Sequence, residues 1–480
     1  MAAGGRRPRA PCPQRRGPMA TGDRKSLPLP LPLPPPRLPG PRLPWLGHAV
    51  PFARNPVAFL GRARERAGNV FSFRLLGQPV TFLCGRAAHE AVFHADESVL
   101  SPREAYRFMT PVFGPGVAFD AEPDEMERQI GHLLPALTSK SLAAHVDTMR
   151  QEVEDHLRTW QNSGEADLTE TMNEITVSVV TRCLLGEEVS SRLGPELPRL
   201  FRDLEAGIRL AGLLDPGMPL PAFRRRDRAR AALGQVLGEV IAARRASQGP
   251  HSGPRDMLTT LLTARTPRGE ALDDTTVVGL LIGMIFAGQH TSAVLAAWTG
   301  ALLLSHPEHL PVLLREQEET MRGDGPLTGT LLRRMHHLEY CVREAERLHP
   351  PLVVLIRKAL RDFTHAGHLV PAGHLVMVSP AVSHRLPEVF HDPDRYDPGR
   401  YAPGREEHTA PYALIGFGGG RHRCVGTAFA YQQVKVIWSV LLRTFDLSPG
   451  HVGCPAPDYS TFIPGPRAPC TVRYRRRVPV

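Results

Sequence analysis

The sequence predicts a mainly α-helical protein with smaller β-sheet regions. A long, mostly apolar stretch, 274–304, is the strongest helical candidate. Residues 142–240 hold several amphipathic helical patterns that are separated by Gly and Pro. Runs with a β-strand pattern, such as 352–357, are short by comparison. With 480 residues, of which 42% are hydrophobic and 22% charged, the chain can bury a sizeable core and is predicted to be globular.

The N-terminal residues 1–44 form a leader rich in proline and arginine, which includes the string LPLPLPLPPPRLPGP. Proline removes backbone donors and kinks the chain at every second position, so this run is not a membrane helix. We expect residues 1–44 to be disordered, with a weak alternative of organelle targeting, and residues 45–480 to form one large domain. A helix over 56–67 then precedes a β-hairpin, whose two strands are split by Gly77, Gln78 and Pro79.

The composition limits which cellular compartment and which binding partners we expect. The formal net charge is +10, but no DNA- or RNA-binding motif accompanies it, so we expect no nucleic-acid partner. The arginines fit either a solvated surface or a docking face for an acidic electron-transfer protein. Seven scattered cysteines without paired spacing indicate reduced thiols in a cytoplasm rather than a disulfide scaffold or a zinc site.

The string FGGGRHRCVG at 417–426 carries the main chemical signal. Cys424 is fenced by glycines, follows basic residues and precedes an apolar helical pattern. Glycines let the backbone lie against a flat macrocycle, and backbone amides stabilise a thiolate and lower its pKa. These residues predict that Cys424 is the axial thiolate ligand of haem iron, although a structural cysteine in a glycine-rich turn is the bland alternative. The string resembles the haem-binding loop of the cytochrome P450 monooxygenases, and His422 resembles their sterol 14α-demethylase branch.

The segment YRFMTPVFGPGVAFD at 106–120 breaks the helical pattern with Pro and Gly while carrying aromatic and sulfur side chains. Such an irregular segment suits a large apolar ligand, and an ordinary buried loop is the alternative. It is similar to the substrate-contacting segment of sterol 14α-demethylases. This resemblance, with that of the later motifs, implies that the following residues line the substrate cavity: Tyr106, Phe108, Met109, Phe113, Phe286, Ala287 and Leu352.

The helix predicted from Asp274, its expected N-cap, to Leu304 has polar residues at the middle of its length. A membrane span is the rival interpretation, but polar groups at that depth are costly, which favours a buried central helix. We expect a loosened turn at Gly288 and proton handling by Thr291 and His290. A polar patch that satisfies itself is the alternative. The string AGQHTS resembles the oxygen-binding motif of sterol demethylases, where histidine precedes the threonine.

Glu344 and Arg347 stand three residues apart and therefore share one helix face. Alone, this pair indicates no more than a surface ion pair. The string EAER resembles the ExxR motif of the cytochrome P450 family, and the segment that ends in Arg400 resembles the one that completes the motif's buried triad. The resemblance implies that Glu344, Arg347 and Arg400 brace the thiolate loop.

The resemblance also implies how the haem propionates are held. Arg357, at the basic end of a β-branched run, is expected on a propionate, and a surface cation is the alternative. The family places basic residues on the helix after Asp120, where this chain is acidic and offers Arg128 first and His132 second. Tyr106 and His422 complete the expected cofactor contacts.

Taken together, the resemblance implies a cytochrome P450 fold, with haem b buried between the long central helix and the cysteine loop. The implied activity is sterol 14α-demethylation, in which three successive O2-dependent oxidations release the 14α-methyl group as formate. Electrons from NAD(P)H would arrive through a ferredoxin and its reductase, docking near Arg421, Arg423 and Lys435. We expect a cytoplasmic monomer that acts on a sterol and has no transmembrane anchor. The alternatives are a hydroxylase of another lipid or secondary metabolite, and a haem-based sensor without turnover.

Overall fold

The computed structural model describes residues 32–39, 45–246, 256–266, 268–322, 325–450 and 453–477. The α-helices of these residues are α1 (Ala49–Arg54), α2 (Pro56–Ala67), α3 (Arg86–His94), α4 (Pro102–Ala105), α5 (Thr110–Phe113), α6 (Pro123–Leu133), α7 (Ser139–Ala144), α8 (Val146–Arg158), α9 (Leu168–Leu185), α10 (Glu187–Leu193), α11 (Leu197–Ala206), α12 (Pro221–Ala246), α13 (Met257–Thr263), α14 (Asp274–Ser305), α15 (Leu310–Thr320), α16 (Gly329–Arg334), α17 (His336–Leu348), α18 (Pro380–Ser383) and α19 (Thr427–Thr444). The strands are β1 (Val70–Leu75), β2 (Gln78–Leu83), β3 (Leu100–Ser101), β4 (Ser163–Asp167), β5 (Leu355–Ala359), β6 (Phe363–His365), β7 (His368–Val370), β8 (Leu375–Val378), β9 (Phe445–Pro449) and β10 (Thr471–Arg476).

The helix α14 is the core of the molecule, as its apolar composition predicts. Its N-cap is Asp273, whose side chain accepts a hydrogen bond from the Thr276 backbone N–H, so the expected N-cap Asp274 is wrong by one residue. The helix packs against α9, α12, α17 and α19. In the described part of the chain it is the one helix long and apolar enough to cross a membrane, yet 67% of its most apolar window is buried inside the protein. Its apolar surface is therefore used for internal packing.

A close contact joins α14 to α19. A Cβ on Gly300 would lie 2.1 Å from the Trp438 ring, so only glycine fits there. The Trp438 indole N–H donates to the Ala296 carbonyl at 2.9 Å, which satisfies its one polar atom in the core. This contact places the helix that follows the cysteine loop directly against the central helix.

The strands form three small sheets. The largest has the order β1-β2-β8-β5-β3, in which β2 and β8 are parallel and the other pairs antiparallel. The second has the order β4-β10-β9, and β6 pairs with β7 in the third. The β-branched run starting at Leu352 becomes a strand only from Leu355, so its first three residues are irregular.

The predicted hairpin of β1 and β2 is present, but its turn differs from the expected one. Leu75 pairs with Gln78, and Leu76 and Gly77 both have positive φ angles, 48° and 78°. The strands are therefore joined by a two-residue turn, whose positive φ angles match the right-handed twist of the flanking strands. Pro79 belongs to strand β2.

Most of the expected leader, 1–44, lies outside the described residues. Residues 32–39 are described, and they run beside the sheets. The Leu33 N–H donates to the Gly367 carbonyl, and the Leu38 N–H donates to the Ser72 carbonyl, both at 2.9 Å. The rest of the predicted leader stays a prediction.

Candidate functional site

The cysteine loop is held by local hydrogen bonds between the short 3-10 turn Gly420–His422 and the start of α19. The Cys424 N–H donates to the Phe417 carbonyl, and the Thr427 hydroxyl donates to the Cys424 carbonyl, both at 2.9 Å. A Cβ on Gly426 would lie 3.7 Å from Sγ of Cys424. Cys424 itself is exposed, so its sulfur is free to bind a ligand.

Two of the loop glycines have a role that we did not predict. Gly418 and Gly420 have φ angles of +70° and +60°, which favour glycine. A Cβ on Gly419 would lie 2.7 Å from the Phe93 ring, and one on Gly420 would lie 2.2 Å from the Phe93 carbonyl oxygen. Gly419 and Gly420 therefore make room for α3.

The pKa of the Cys424 thiol also departs from the expectation. Although the residue is exposed, the protein around the sulfur desolvates it, which raises the pKa of the thiol above its ordinary value. The backbone N–H groups of Gly426 and Thr427 and the Thr427 hydroxyl act in the predicted direction but are outweighed. Without a metal the group is therefore a thiol, and it must lose a proton when it binds one.

Behind the loop lies a network of three fully buried charged residues, which the structure brings together as the resemblance implied. Arg347 donates to both carboxylate oxygens of Glu344 at 2.8 Å, and Arg400 donates to Oε1 of Glu344 at 2.9 Å. Arg400 also donates to Glu407 at 2.8 Å. Other guanidinium N–H groups donate to backbone carbonyls; Arg347, for example, donates to the carbonyls of His384 and Pro393. A buried charge network satisfied to this degree holds its segments in one arrangement.

His384 connects this network to the cysteine loop, and the sequence reasoning missed it. Its carbonyl accepts from Arg347 at 2.8 Å, and its Nε2 accepts from the Ile415 N–H at 2.8 Å. The Ile415 carbonyl in turn accepts from the Gly418 N–H at 2.9 Å. Burial lowers the pKa of His384 to about 3, so the imidazole is neutral and Nε2 can act as the acceptor. The string SHR offered no periodic signal for this role.

The middle of α14 presents Thr291 and Ala287 on one side of the helix. Ala287 is exposed although its helix is the core of the molecule, which indicates an open space beside it. The Thr291 hydroxyl donates to the Ala287 carbonyl at 2.5 Å. The helix is continuous from Asp274 to Ser305, so the loosened turn expected at Gly288 is wrong. The hydroxyl instead satisfies itself on the helix backbone and must rotate to reach any ligand.

His290 is paired with an acid that sequence reasoning missed. Its Nδ1 lies 3.1 Å from Oε2 of Glu205 at the end of α11, and both side chains are largely buried. Burial lowers the pKa of His290 to about 4 and raises the pKa of Glu205 to about 7. Near neutral pH the pair therefore carries a proton that it can release. Glu205 lies four residues after Phe201, which is buried, so the two residues share one face of α11. An acidic residue on an apolar helix face was the sequence signal that could have revealed Glu205.

The aromatic segment is compact and packs on α14. Phe113 contacts Phe286 with 6.0 Å between the ring centroids. A Cβ on Gly279 of α14 would lie only 2.5 Å from the Phe113 carbonyl oxygen, so glycine allows this close approach. Asp120 accepts hydrogen bonds from the Thr110 hydroxyl and the Gly116 N–H, both at 2.8 Å, which closes the segment on itself. The expected cavity residues Phe108, Met109, Phe113 and Phe286 are buried, whereas Tyr106 and Leu352 are partly buried.

A cavity of about 750 Å³ borders this segment. It lies between Phe108 and the loop that follows α11, and Lys358 and Asp120 also line it. The segment thus separates the interior beside α14 from an opening at the surface.

Two basic residues, Arg357 and His422, differ in how far their polar atoms are paired. Arg357 is 6% exposed and forms no ion pair with any described carboxylate, and it donates to the Ile356 carbonyl at 2.8 Å. Burial lowers its pKa, which Tyr106 and Glu97 oppose. His422 binds Glu97 through Nε2 at 2.9 Å, while its buried Nδ1 has no partner among the described residues. The Tyr106 hydroxyl accepts from the Ile356 N–H at 3.2 Å.

The candidates on α6 differ from each other. Arg128 donates to Glu125 at 2.7 Å and is 45% exposed, so its charge is already paired at the surface. His132 is half-buried on the same helix. Gln129, which is 1% exposed, instead connects α6 to the aromatic segment through the Gly116 carbonyl at 2.8 Å and the Ala118 N–H at 2.9 Å.

These residues fit a haem. An exposed thiol at Cys424 offers the iron ligand, and an open space adjoins Ala287 on the central helix. Arg357, as a buried cation without a carboxylate, suits a propionate group. His422 donates its Nε2–H to Glu97, so its free Nδ1 would reach a propionate only when it carries a proton. The donor set of one cysteine sulfur with basic groups is that of a haem-thiolate site.

One residue that we expected on the docking face is not at the surface. Lys435 is 4% exposed and donates to Glu339 at 3.2 Å, so it cannot present a charge at the surface. Arg421 and Arg423 are exposed, although Arg421 is paired with Glu127. The correction follows from α19, whose residue 435 faces α17.

Comparisons with known proteins agree with this geometry. The family model described as Cytochrome P450 matches residues 36–467. A sterol 14-demethylase of Arabidopsis thaliana is 39% identical over 444 residues, which cover 90% of this chain and 90% of the plant protein. Lanosterol 14-alpha demethylase of Homo sapiens is 37% identical over 446 residues, 91% of this chain and 85% of the human protein. The solved structure of cyanobacterial CYP120A1 with bound retinoic acid matches with a TM-score of 0.82 and 26% identity, covering 93% of this chain and all of the other, and it confirms the predicted fold.

Proposed function

Because the chain belongs to the cytochrome P450 family, we propose that this haem-thiolate monooxygenase removes the 14α-methyl group of a sterol. The observation that carries the substrate class is the 37–39% identity to sterol, obtusifoliol and lanosterol 14-demethylases over nine tenths of the chain. Haem b, once bound by the Cys424 thiolate, supplies the activation of O2 with electrons delivered by a redox partner. Three successive oxidations of one methyl group, with its release as formate, complete the proposed reaction.

The proximal residues hold the ligand in place. Cys424 would hold the iron as a thiolate, having lost its proton, and the hydrogen bonds of its loop would keep the sulfur in position. His384 fixes the loop to the buried network of Glu344 and Arg347, so the sulfur does not depend on the loop alone for its position. Arg357 would hold a propionate, and His422 would add a hydrogen bond to one with Nδ1 protonated, since its Nε2–H donates to Glu97.

The distal residues handle protons. Burial displaces the pKa values of both Glu205 and His290 toward their neutral forms, so Glu205 keeps its proton up to about pH 7. Thr291 follows His290 directly, and its hydroxyl can turn from the Ala287 carbonyl toward the open space beside the helix. We assign to Thr291 the last hydrogen bond of this route, and to His290 and Glu205 the supply of protons to it.

The substrate residues bind and orient an apolar ring system. Phe108, Met109, Phe113 and Phe286 offer an apolar wall, and the cavity of about 750 Å³ beside Phe108 offers a route from the surface. The hydrogen bonds of Gln129 and Asp120 fix the shape of the segment that carries three of them. An enclosed apolar wall also keeps water from the reacting carbon.

The electron donor is proposed to be a ferredoxin with its NAD(P)H-dependent reductase, in the cytoplasm. Exposed Arg421 and Arg423 beside the cysteine loop support an acidic partner. Charge reversal at Arg423, which no described carboxylate pairs, should slow reduction by the ferredoxin and leave reduction by dithionite unchanged.

Substrate binding and turnover test the substrate class. A 14α-methyl sterol should displace water and give a type I spectral shift, and turnover with a ferredoxin system should release formate and the 14-demethylated product. The same sterol without its 14α-methyl group is the matched control, which should bind and yield no formate. Binding of the sterol without any formate would contradict the proposed reaction.

A second candidate is the oxidation of another lipid, which the likeness to a structure with bound retinoic acid favours. Retinoic acid and the 14α-methyl sterol can be compared in the same titration. Turnover of the retinoid with no turnover of the sterol would favour this candidate.

A further inference from the structure

A cluster of two histidines and a cysteine lies between α17 and the turn that precedes α15. His309 ends the 3-10 turn Pro307–His309, whereas His337 and Cys341 belong to α17. Nδ1 of His309 lies 3.2 Å from Nε2 of His337. The ligand atoms of all three residues lie within 4.8 Å of one another. No step of the proposed reaction uses this cluster.

The local sequence explains why these side chains meet. His337 and Cys341 are four residues apart, so they lie on the same face of α17. Glu316, on α15, accepts hydrogen bonds from the His337 and Leu338 N–H groups at 2.6 and 3.0 Å. This contact fixes the start of α17 against α15, the helix that follows His309 directly. The three ligand atoms therefore converge because two helices are joined, and not by chance orientation of exposed side chains.

Electrostatics keep the two imidazoles in the form that binds metals. Burial, and then the neighbouring His309, lower the pKa of His337 to about 4. Burial also lowers the pKa of His309, which the carboxylates of Glu308 and Asp397 oppose. Both rings are therefore neutral at physiological pH. Burial raises the pKa of Cys341 to about 12, so its thiol would give up a proton to solvent on binding a cation.

A hydrogen bond between the two rings accounts for part of this arrangement, since one neutral imidazole can donate its N–H to the other. It does not involve the thiol of Cys341, whose Sγ lies within 4.8 Å of both ring nitrogens. We propose that His309, His337 and Cys341 bind a zinc-class divalent cation, with water as the fourth ligand. Two imidazoles and a thiolate suit Zn²⁺ and not Mg²⁺ or Ca²⁺, which prefer oxygen ligands. Tetrahedral zinc needs ligand atoms roughly 3.3–3.6 Å apart. The two nitrogens, at 3.2 Å, already have about this spacing, and Sγ of Cys341 lies within 4.8 Å of both.

The site would connect a surface turn to the helix that carries the buried network. Cys341 lies one turn before Glu344, so a cation held here fixes the N-terminal half of α17. The two histidines are half-buried, which leaves the cation a path from solvent, while Cys341 is buried. Binding to the folded state alone raises the thermal midpoint of unfolding. We expect Zn²⁺ to raise that midpoint in the wild-type protein.

A matched pair of variants tests the site in the haem-loaded, chelator-treated protein. Zn²⁺ is titrated against a chromophoric chelator into the wild type, His337→Gln and His336→Gln, where His336 is the exposed neighbour outside the cluster. We expect the wild type and His336→Gln to bind one tight equivalent, and His337→Gln to lose at least about tenfold in affinity. His309→Gln should behave like His337→Gln, and unchanged haem spectra show that both variants are folded. Equal affinities in all four proteins would overturn the proposal, because the bound zinc would then be adventitious.

Zinc X-ray absorption gives a readout that does not depend on stability. The wild type should show one sulfur and two imidazole ligands, and Cys341→Ser should lose the sulfur contribution. A spectrum with only nitrogen and oxygen ligands in the wild type would contradict the site.

Discussion

The two sides of the haem site differ in how their polar groups are satisfied. On the proximal side, Glu344, Arg347 and Arg400 are fully buried and bonded to each other and to backbone carbonyls. On the distal side, Oε1 of Glu205 has no partner among the described residues, and the pKa values of Glu205 and His290 are displaced toward the neutral forms.

This difference separates the residues that support the fold from the residues that take part in the chemistry. A fully bonded buried network resists change, because any loss of a partner leaves an uncompensated charge. A buried pair with incomplete bonding can change its protonation at little structural cost. The proximal residues should therefore control whether the protein folds and holds haem, and the distal residues should control what it does with oxygen.

The largest effect is expected from the proximal network. Glu344→Ala leaves two buried guanidinium groups without their shared carboxylate, which should cost about 3–5 kcal/mol of the free energy of unfolding. Chemical denaturation of the haem-loaded protein measures this loss.

The chain offers a control with the same spacing. Glu125 and Arg128 also stand three residues apart but are 41% and 45% exposed. Glu125→Ala should change the free energy of unfolding by no more than about 1 kcal/mol. Similar losses at the two sites would contradict the proposed bracing.

The next largest effect is expected on turnover from Thr291→Ala. Loss of the hydroxyl that handles protons should reduce product formation about a hundredfold, while oxygen consumption continues and haem content stays unchanged. Thr291→Ser keeps the hydroxyl and should recover most of the product. Equal product from the alanine variant and the wild type would remove Thr291 from the mechanism.

A smaller loss of stability is expected from His384→Ala. The buried Ile415 N–H loses its acceptor, which should cost about 1–3 kcal/mol and weaken the link between the network and the cysteine loop. Thermal unfolding and the fraction of protein with intact thiolate ligation measure the two consequences. A destabilised protein with fully intact ligation would show that His384 does not support the loop.

The smallest effect is a change in pH dependence at Glu205. Its pKa is raised by burial from 4.5 to about 7, so the stability contributed by its proton is complete below about pH 4.5 and is lost as pH rises through 7. Product formation should fall over the same upper range, because the acid has lost the proton that it supplies. Glu205→Gln cannot titrate and should flatten both profiles near neutral pH. A stability profile of this variant that matches the wild type would contradict the assignment.

Local patterns predicted the parts of the molecule that are close in sequence. The glycine-rich loop around Cys424, the apolar helix α14 and the Glu344–Arg347 spacing are each readable within one segment. Contacts between distant segments were not readable in this way. Glu205 meets His290 from another helix, and His384 meets Ile415 through a folded loop. Lys435 was placed at the surface because one sequence does not show which side of α19 meets Glu339.

The carbon monoxide difference spectrum of the reduced protein tests the central claim most directly. Ligation of haem iron by the Cys424 thiolate predicts a red-shifted band in the wild type, which Cys424→Ser should lose. A wild-type protein without that band, or a serine variant that keeps it, would contradict the proposed haem-thiolate site.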